Sequence, residues 1–400
     1  MVEKSLKLYE DIYIVVIKNK SIYKYSYIYW KEVIYMGNNM ENVKELVNDM
    51  NAGCSSITWT TEDGKHLWGR NFDFNHIANG SMITYVPKGK EYYGCGNILE
   101  KNIDESSKLT SKYGAVGTGS LLMESTPVLY EGINEKGLMG GQLYYRNYAH
   151  YEPKAKDGTI AVQPPYVVTY LLTQCATVEE VVDALTNKIT VVNIPMFGSV
   201  GTVHWSFTDK TGETVIIEPD ETGITIYRNA MGVLTNSPSY AWHKLNLYNY
   251  FNIRDLDYDS LSVNGFTLEQ CASGNGTLGL PGDSTSQSRF VRLAFLKKYG
   301  VKGKTEEEGI TYGIHLFNNV AMPLGMVRVS EPGDLKHASG VVPFDYTVYT
   351  SMMCAESLKF YWVTYENQTV QCVDLNDLLS KNDYAQFDLG RVTEFKYLTK

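Results

Sequence analysis

Long apolar runs are missing from this chain. The longest near the N-terminus, Ile12 to Ile17, is six residues and is closed by Lys18 and Lys20. A membrane helix needs roughly 18 apolar residues or more, and so short a run is no signal-peptide core either. No membrane partner is expected. Basic residues are in deficit, with 36 Lys and Arg against 45 Asp and Glu and a net charge of −9. That argues against a nucleic-acid-binding surface, which shows a basic excess. Cysteine is sparse and scattered at Cys54, Cys95, Cys175, Cys271, Cys354 and Cys372, with no C-x-x-C spacing and no histidine clustered beside them. This excludes a zinc framework and gives no disulfide signature. The expectation is a reduced, cytoplasmic protein that uses no metal and no cofactor.

What is present is a globular composition, 44% hydrophobic and 20% charged, with ample material for a large core. Residues 1–53 stand apart. They are rich in Tyr, Ile, Lys and Asn, carry an alternating patch from Ile22 to Tyr29, and contain no proline. They read as a leader, a propeptide or a mis-assigned start, with Met36, Met40 and Met50 as alternative starts. The competing reading is an edge strand plus a short helix, Met40 to Met50, whose Val43, Leu46, Val47 and Met50 share one face.

From Cys54 onward the pattern is strand-rich. Met82 to Pro87, Thr126 to Asn134 and Met139 to Tyr145 read as strands, with Asn134 and Gly137 supplying a turn. Glu91 to Lys112 is polar and loop-like. A helix is predicted over Pro165 to Thr173, opened by Pro164-Pro165. Thr177-Val178-Glu179-Glu180 is a capping box that opens another, ending near Thr186. Thr202 to Asn236 alternates with turn signals every several residues, an antiparallel meander. Ser288 to Tyr299 is apolar at helical spacing, and Tyr346 to Thr350, Tyr361 to Tyr365 and Val370 to Val373 form a further antiparallel set. Two antiparallel sheets with two helical layers predict one α+β domain over residues 54–400.

The chemistry concentrates at the head of this domain. Ile57-Thr58-Trp59-Thr60-Thr61 suits a pleated surface, and Asp63-Gly64 is a preferred pair for a two-residue type I′ turn. With that loop, Glu62 pairs with Lys65, and Cys54 falls opposite Asp73. A random cysteine is more often a small buried hydrophobe than a nucleophile. Cys54 differs by position. If the Gly53–Cys54 bond is cut, its own α-amino group, with a pKa of about 7.7–8.0, can take the thiol proton. Nucleophile and base are then one residue.

Three rival motifs fail. A lipid-anchored cysteine needs an apolar stretch upstream, where Lys44, Glu45 and Asp49 stand. Gly274-Asn275-Gly276-Thr277-Leu278-Gly279 has the G-x-G-x-x-G form, but Leu280-Pro281-Gly282-Asp283 forbids the helix that must follow. The sequons at Asn79, Asn275 and Asn367 mean nothing without secretion.

Six ordered blocks then carry a resemblance. They are Cys54-Ser55-Ser56; Gly69-Arg70-Asn71-Phe72-Asp73; Asn134-Glu135-Lys136-Gly137-Leu138; Thr235-Asn236-Ser237-Pro238 with Trp242-His243; Leu280-Pro281-Gly282-Asp283 with Ser288-Arg289-Phe290; and Tyr349-Thr350-Ser351. Together they resemble the choloylglycine hydrolase family, the penicillin V acylases and conjugated bile salt hydrolases, from Cys54 to about Val373. The resemblance implies a four-layer αββα N-terminal-nucleophile hydrolase sandwich that cleaves a small linear amide. It implies Cys54 as nucleophile and, through its amine, base, with Asp73 accepting from that amine. Arg70 would favour the thiolate. The simple hairpin puts Arg70 and Asp73 on opposite faces, so the strand must bulge or end there. The Asn236 side chain and the Tyr144 backbone N–H would form the oxyanion hole, and Arg289 would complete the polar cluster. Phe72 and Tyr144 would line the acyl pocket. A homotetramer is implied as well.

The substrate is read from Tyr144, where penicillin V acylases typically carry tyrosine and bile salt hydrolases asparagine. Leu143-Tyr144-Tyr145, Thr126 to Tyr130 and Glu218-Pro219-Asp220 look like the acylase side. His66 to Asn71 and Ser288 to Arg292 look like the bile salt side. Penicillin V acylase is the expectation; the alternatives are a conjugated bile salt hydrolase and an inactive binding or assembly homologue whose long leader blocks Cys54. The leader departs from the family pattern, as does an insertion between Asp73 and Tyr144.

Overall fold

A computed structural model describes residues 53–399, apart from 79, 98–101, 123–125, 197–198 and 330–341, together with two short strands within the first 13 residues. The helix expected over Met40 to Met50, the Ile22–Tyr29 patch and the alternative starts lie outside the described residues.

The head of the domain is a hairpin of β1 (Gly53–Thr60) and β2 (His66–Phe74). Its loop differs from the expected one. Thr61 N–H donates to Lys65 O at 3.0 Å and Gly64 N–H to Thr61 O at 3.1 Å, so Glu62-Asp63-Gly64 is a three-residue loop. Gly64 takes φ +83° while Asp63 keeps an ordinary φ. That is a type I turn closed by a left-handed glycine, whereas a type I′ turn demands positive φ at both centres. The register therefore slips by one: Cys54 pairs with Phe72, and Asp73 pairs with Gly53.

Further strands are β3 (Met82–Val86), β4 (Ala115–Leu122), β5 (Thr126–Leu129), β6 (Glu131–Asn134), β7 (Met139–Tyr144), β8 (Val203–Thr208), β9 (Thr214–Asp220) and β10 (Gly223–Tyr227). They are followed by β11 (Val233–Leu234), β12 (Phe344–Cys354), β13 (Lys359–Thr364), β14 (Gln371–Asp374) and β15 (Ala385–Phe387). One sheet runs β10-β9-β8-β7-β6-β4-β3-β15, with β5 on β4; the other runs β11-β1-β2-β12-β13-β14, with Val327–Arg328 on β12. Their strand pairs are antiparallel throughout.

Helices α1 (Val167–Gln174) and α2 (Val178–Asp183) belong to the outer layer of the first sheet, where α1 packs on β5, β6 and β7. A short helix, α3 (Tyr240–Asn246), precedes the pair on the second sheet, α4 (Ser286–Tyr299) and α5 (Glu306–Asn318). The layers run α, β, β, α. Helix α5 carries a signal the sequence reading passed over, since Thr305 caps the Glu308 N–H and Glu308 reaches back to Lys304 N–H. The stretch Glu91 to Lys112, expected as loop, holds two small strand pairs, Glu91–Tyr93 with Lys108–Thr110 and Gly96–Asn97 with Asn102–Ile103. Among the described residues no helix is long and apolar enough to cross a membrane.

Large side chains fill the space between the sheets. Trp68 is wholly buried, and its Nε1–H donates to Ser206 Oγ at 3.3 Å across the gap. Close approach of β4 to β6 requires Gly117, where an added Cβ would stand 1.8 Å from Glu131 O. Gly117→Ala should cost about 3 kcal/mol, lowering Tm by several degrees in a thermal melt. Gly282→Ala, facing open space, should stay within about 0.5 kcal/mol.

Candidate active site

The slipped register decides which residues meet. Residues directly opposite share a face, so Cys54, Ser56, Arg70 and Phe72 all point into the space between the sheets. Arg70 Nη2–H donates to Cys54 Sγ, and Nη1–H donates to Glu131 Oε2 at 3.1 Å. Glu131 rises from β6 of the facing sheet and also accepts from Tyr349 Oη at 3.0 Å and Ser351 Oγ at 3.3 Å. All five side chains are buried to 1% exposure or less. Sequence reasoning missed Glu131. The available signal was a carboxylate inside the apolar strand Tyr130-Glu131-Gly132-Ile133, because a charge there must be paired.

Asp73 lies on the other face, and the expected irregularity is present in the neighbouring strand. The β2–β12 register shifts between Thr347 and Tyr349, opposite Asp73 and Phe72. Thr347 Oγ1 donates to Asp73 Oδ1 at 2.6 Å, and Asp73 Oδ2 is buried without a hydrogen bond. Arg289 Nη1 stands 3.7 Å from that oxygen.

Strand β11 brings in Asn236. Val233 and Leu234 pair with Ile57 and Ser56, and continuing that register sets Asn236 beside Cys54. Cys54 N–H donates to Asn236 Oδ1 at 3.0 Å, and Arg289 Nη2–H donates to the same oxygen at 2.7 Å. Asn236 Nδ2–H donates to Tyr144 O at 2.9 Å. Two donors on one side and a carbonyl on the other leave the amide a single consistent orientation. Tyr144 pairs with Val203, but the neighbouring Tyr145 N–H makes the bond to Thr202 O at 2.8 Å. By strand alternation the Tyr144 N–H points away from β8, to the side where its carbonyl meets Asn236.

Arg289 arrives from the first turn of α4. Thr285 caps that helix, while Asp283 accepts from Thr285 N–H at 2.9 Å and from Ser288 Oγ at 2.6 Å. The Leu280-to-Asp283 block is thus the helix's entry. Arg289 Nη1–H then donates to Cys54 O at 2.6 Å and Ser55 Oγ at 2.5 Å. Phe72, expected in the acyl pocket, is instead 1% exposed and enclosed. Its ring stacks on Tyr349 with centroids 5.0 Å apart and lies 5.0 Å from the Arg70 guanidinium. It supports the thiol's cation rather than lining a cavity. Tyr144 is partly exposed.

Electrostatics follow burial. Desolvation pushes the Cys54 thiol up to about 11, with Arg70 the largest opposing influence. Burial also raises the Asp73 and Glu131 carboxyls, opposed chiefly by Arg289 and Arg70 respectively. Asp345 is pushed up to about 6 by burial and by nearby Asp73. With Gly53 still attached, the site is a protonated thiol held by a guanidinium, with no free amine to deprotonate it.

The description "linear amide C–N hydrolases, choloylglycine hydrolase family" matches residues 54–384. A bile salt hydrolase/transferase of Clostridium perfringens is 33% identical, covering 86% of this chain and 99% of that protein. A penicillin V acylase of Pectobacterium atrosepticum is 29% identical over 81% of each. The crystal structure of a mutant conjugated bile acid hydrolase from Clostridium perfringens superimposes with a TM-score of 0.76 at 30% identity, covering 86% of this chain and all of that one. The matched segment starts at Cys54, the residue where Arg70, Asn236 and Arg289 converge, and the chain belongs to the choloylglycine hydrolase family of linear amide C–N hydrolases.

Proposed function

We propose that this protein hydrolyses conjugated bile acids through a Cys54 thioester, after cleavage of the Gly53–Cys54 bond. The observation that carries the mechanism is the thiol of Cys54 held by Arg70 at the exact start of the family match. Cleavage would turn the Cys54 amide into an amine with further N–H donors. Asp73 Oδ2, buried and without a hydrogen bond, supplies an acceptor for one of them. The amine takes the thiol proton as Cys54 Sγ attacks the amide carbonyl, and Arg70 stabilises the thiolate. The oxyanion accepts from Tyr144 N–H and from the second N–H of Asn236 Nδ2, one such donor being worth about 3 kcal/mol of barrier. Collapse breaks the C–N bond, the α-ammonium returns its proton to the departing amine, and water then hydrolyses the thioester. In this reading residues 1–53 are a leader and 54–400 a single catalytic domain in the cytoplasm.

The bile acid reading rests on the likeness to bile salt hydrolases over most of the chain and is favoured over the expected penicillin V acylase. A second reading, penicillin V, keeps one specific support: tyrosine at position 144. Initial rates with glycocholate and phenoxymethylpenicillin separate them. A kcat/KM at least tenfold higher for glycocholate is expected; the reverse order would overturn the assignment.

Cys54→Ala should abolish turnover, while Cys354→Ala, behind a different wall of the core, should keep it. Equal loss in both would indicate structural damage. Intact mass of the active protein should begin at Cys54; a chain that retains Gly53 and hydrolyses nothing would identify an inactive homologue.

Assembly as a homotetramer belongs to the same proposal. Its support is a protruding hairpin, Leu261–Val263 with Phe266–Leu268, whose apolar side chains Leu261, Val263, Phe266 and Leu268 are exposed. Light scattering should return four chain masses, and a monomer mass would remove this part of the proposal.

A further inference from the structure

Asn236 sits on a segment with little regular structure of its own, since β11 ends at Leu234. Yet both of its neighbouring carbonyls are held. His204 Nε2–H donates to Thr235 O at 2.9 Å, and His243 Nε2–H donates to Asn236 O at 2.9 Å. The two rings are wholly buried. Each lies flat on an aromatic face: His204 on Tyr145, with centroids 4.4 Å apart at 12°, and His243 on Phe290, 4.5 Å apart at 13°.

The two histidines come from different layers and are tied together. His204 is on β8 of the first sheet, and its Nδ1 stands 3.2 Å from Glu218 Oε1 on β9. The two ring nitrogens of His204 thus bridge the Glu218 side chain and the Thr235 carbonyl. The Glu218 carboxylate also accepts from Tyr240 N–H, at 2.8 and 3.1 Å, in the first turn of α3. His243 lies three residues further along that helix. Its Nδ1 is buried without a partner, and burial holds the ring down at about 4, so it stays neutral. Ser286 completes the frame by accepting from Asn236 N–H at 3.0 Å.

We propose that His204, Glu218 and His243 are positioning residues that fix the Thr235-Asn236 backbone, so that the Asn236 amide is already aimed when negative charge develops on the substrate carbonyl. They touch neither Cys54 nor the scissile amide. The inference rests on the oxyanion role proposed for Asn236 and adds the reason that this side chain needs no reorganisation. An oxyanion donor acts in the transition state far more than in substrate binding. Loosening it should lower kcat and leave KM nearly unchanged.

The test is a double-mutant cycle on mature protein quantified by intact mass, with glycocholate as substrate, or phenoxymethylpenicillin if that proves preferred. His243→Ala and the near-isosteric Glu218→Gln should each lower kcat roughly 10- to 100-fold, with KM within about threefold. His243→Gln, which keeps an N–H donor, should recover part of the loss. In an Asn236→Ala background, His243→Ala should cost under about threefold more, because the group it positions is gone. Full additivity, or unchanged kcat in both His243→Ala and Glu218→Gln while Asn236→Ala is crippled, would overturn the proposal. If Asn236→Ala itself retains wild-type kcat, the oxyanion reading fails instead. Should His243→Ala fail to fold, Glu218→Gln and His243→Gln carry the comparison by the same kcat-against-KM criterion.

Discussion

A single guanidinium joins the two sheets of this protein at the proposed catalytic centre. Arg70 donates from one arm to Cys54 Sγ on its own hairpin and from the other to Glu131 on the opposite sheet. Burying such charges is expensive, and removing one partner of a buried pair costs about 3–5 kcal/mol because the other is stranded. The core is arranged around that constraint. Tyr349 and Ser351 spend their hydroxyls on Glu131, and Phe72 lies beside the guanidinium. Packing and reactivity are therefore one problem here, since whatever loosens the interface also frees the cation that tunes the thiol.

Around this centre each remaining polar group is held by a different element. Asn236 follows a two-residue strand and Arg289 lies in the first turn of a capped helix. Asp73 stands opposite a bulge. None of these positions is near another in sequence, and each is fixed by a local device: a register, a cap, an irregularity in a ladder. Arg289 binds the Cys54 carbonyl, the Ser55 hydroxyl and the Asn236 oxygen at once. It ties the Cys54 backbone to the amide proposed to receive the oxyanion.

Much of this was legible in the chain. Strand alternation and capping boxes marked most of the elements, and the ordered blocks brought Cys54, Arg70, Asp73, Asn236 and Arg289 forward before any geometry was known, with Tyr144 following from the family resemblance. The failures share a cause. Asp63-Gly64 suits two turn types, and only the conformation of Asp63 separates them, which the dipeptide does not declare. Phe72 reads equally well as pocket or core, and the Arg70 cation beside it made it core. Glu131 is held by partners more than 60 residues away and His204 meets a backbone carbonyl, and no local pattern names such partners. The substrate preference rested on Tyr144 and a few short segments, while the likeness over 86% of the chain leans the other way.

The three-residue turn at Glu62-Asp63-Gly64 carries a consequence for how this protein tolerates change. Surface loops ordinarily absorb insertions and deletions at little cost. This one lies roughly 26 Å along the strand from Cys54, at about 3.3 Å per residue, and touches nothing in the site. The Thr61–Lys65 pair that closes it nevertheless sets the register of the whole hairpin. A slip of one residue in the pairing would exchange the two faces of one strand against the other, swinging either the sulfur or the guanidinium away from the gap between the sheets, whereas a change confined to the loop, with Thr61 still paired to Lys65, preserves the match. What this turn has to conserve is thus the pairing it closes rather than its own length, a constraint transmitted along a ladder rather than by any contact.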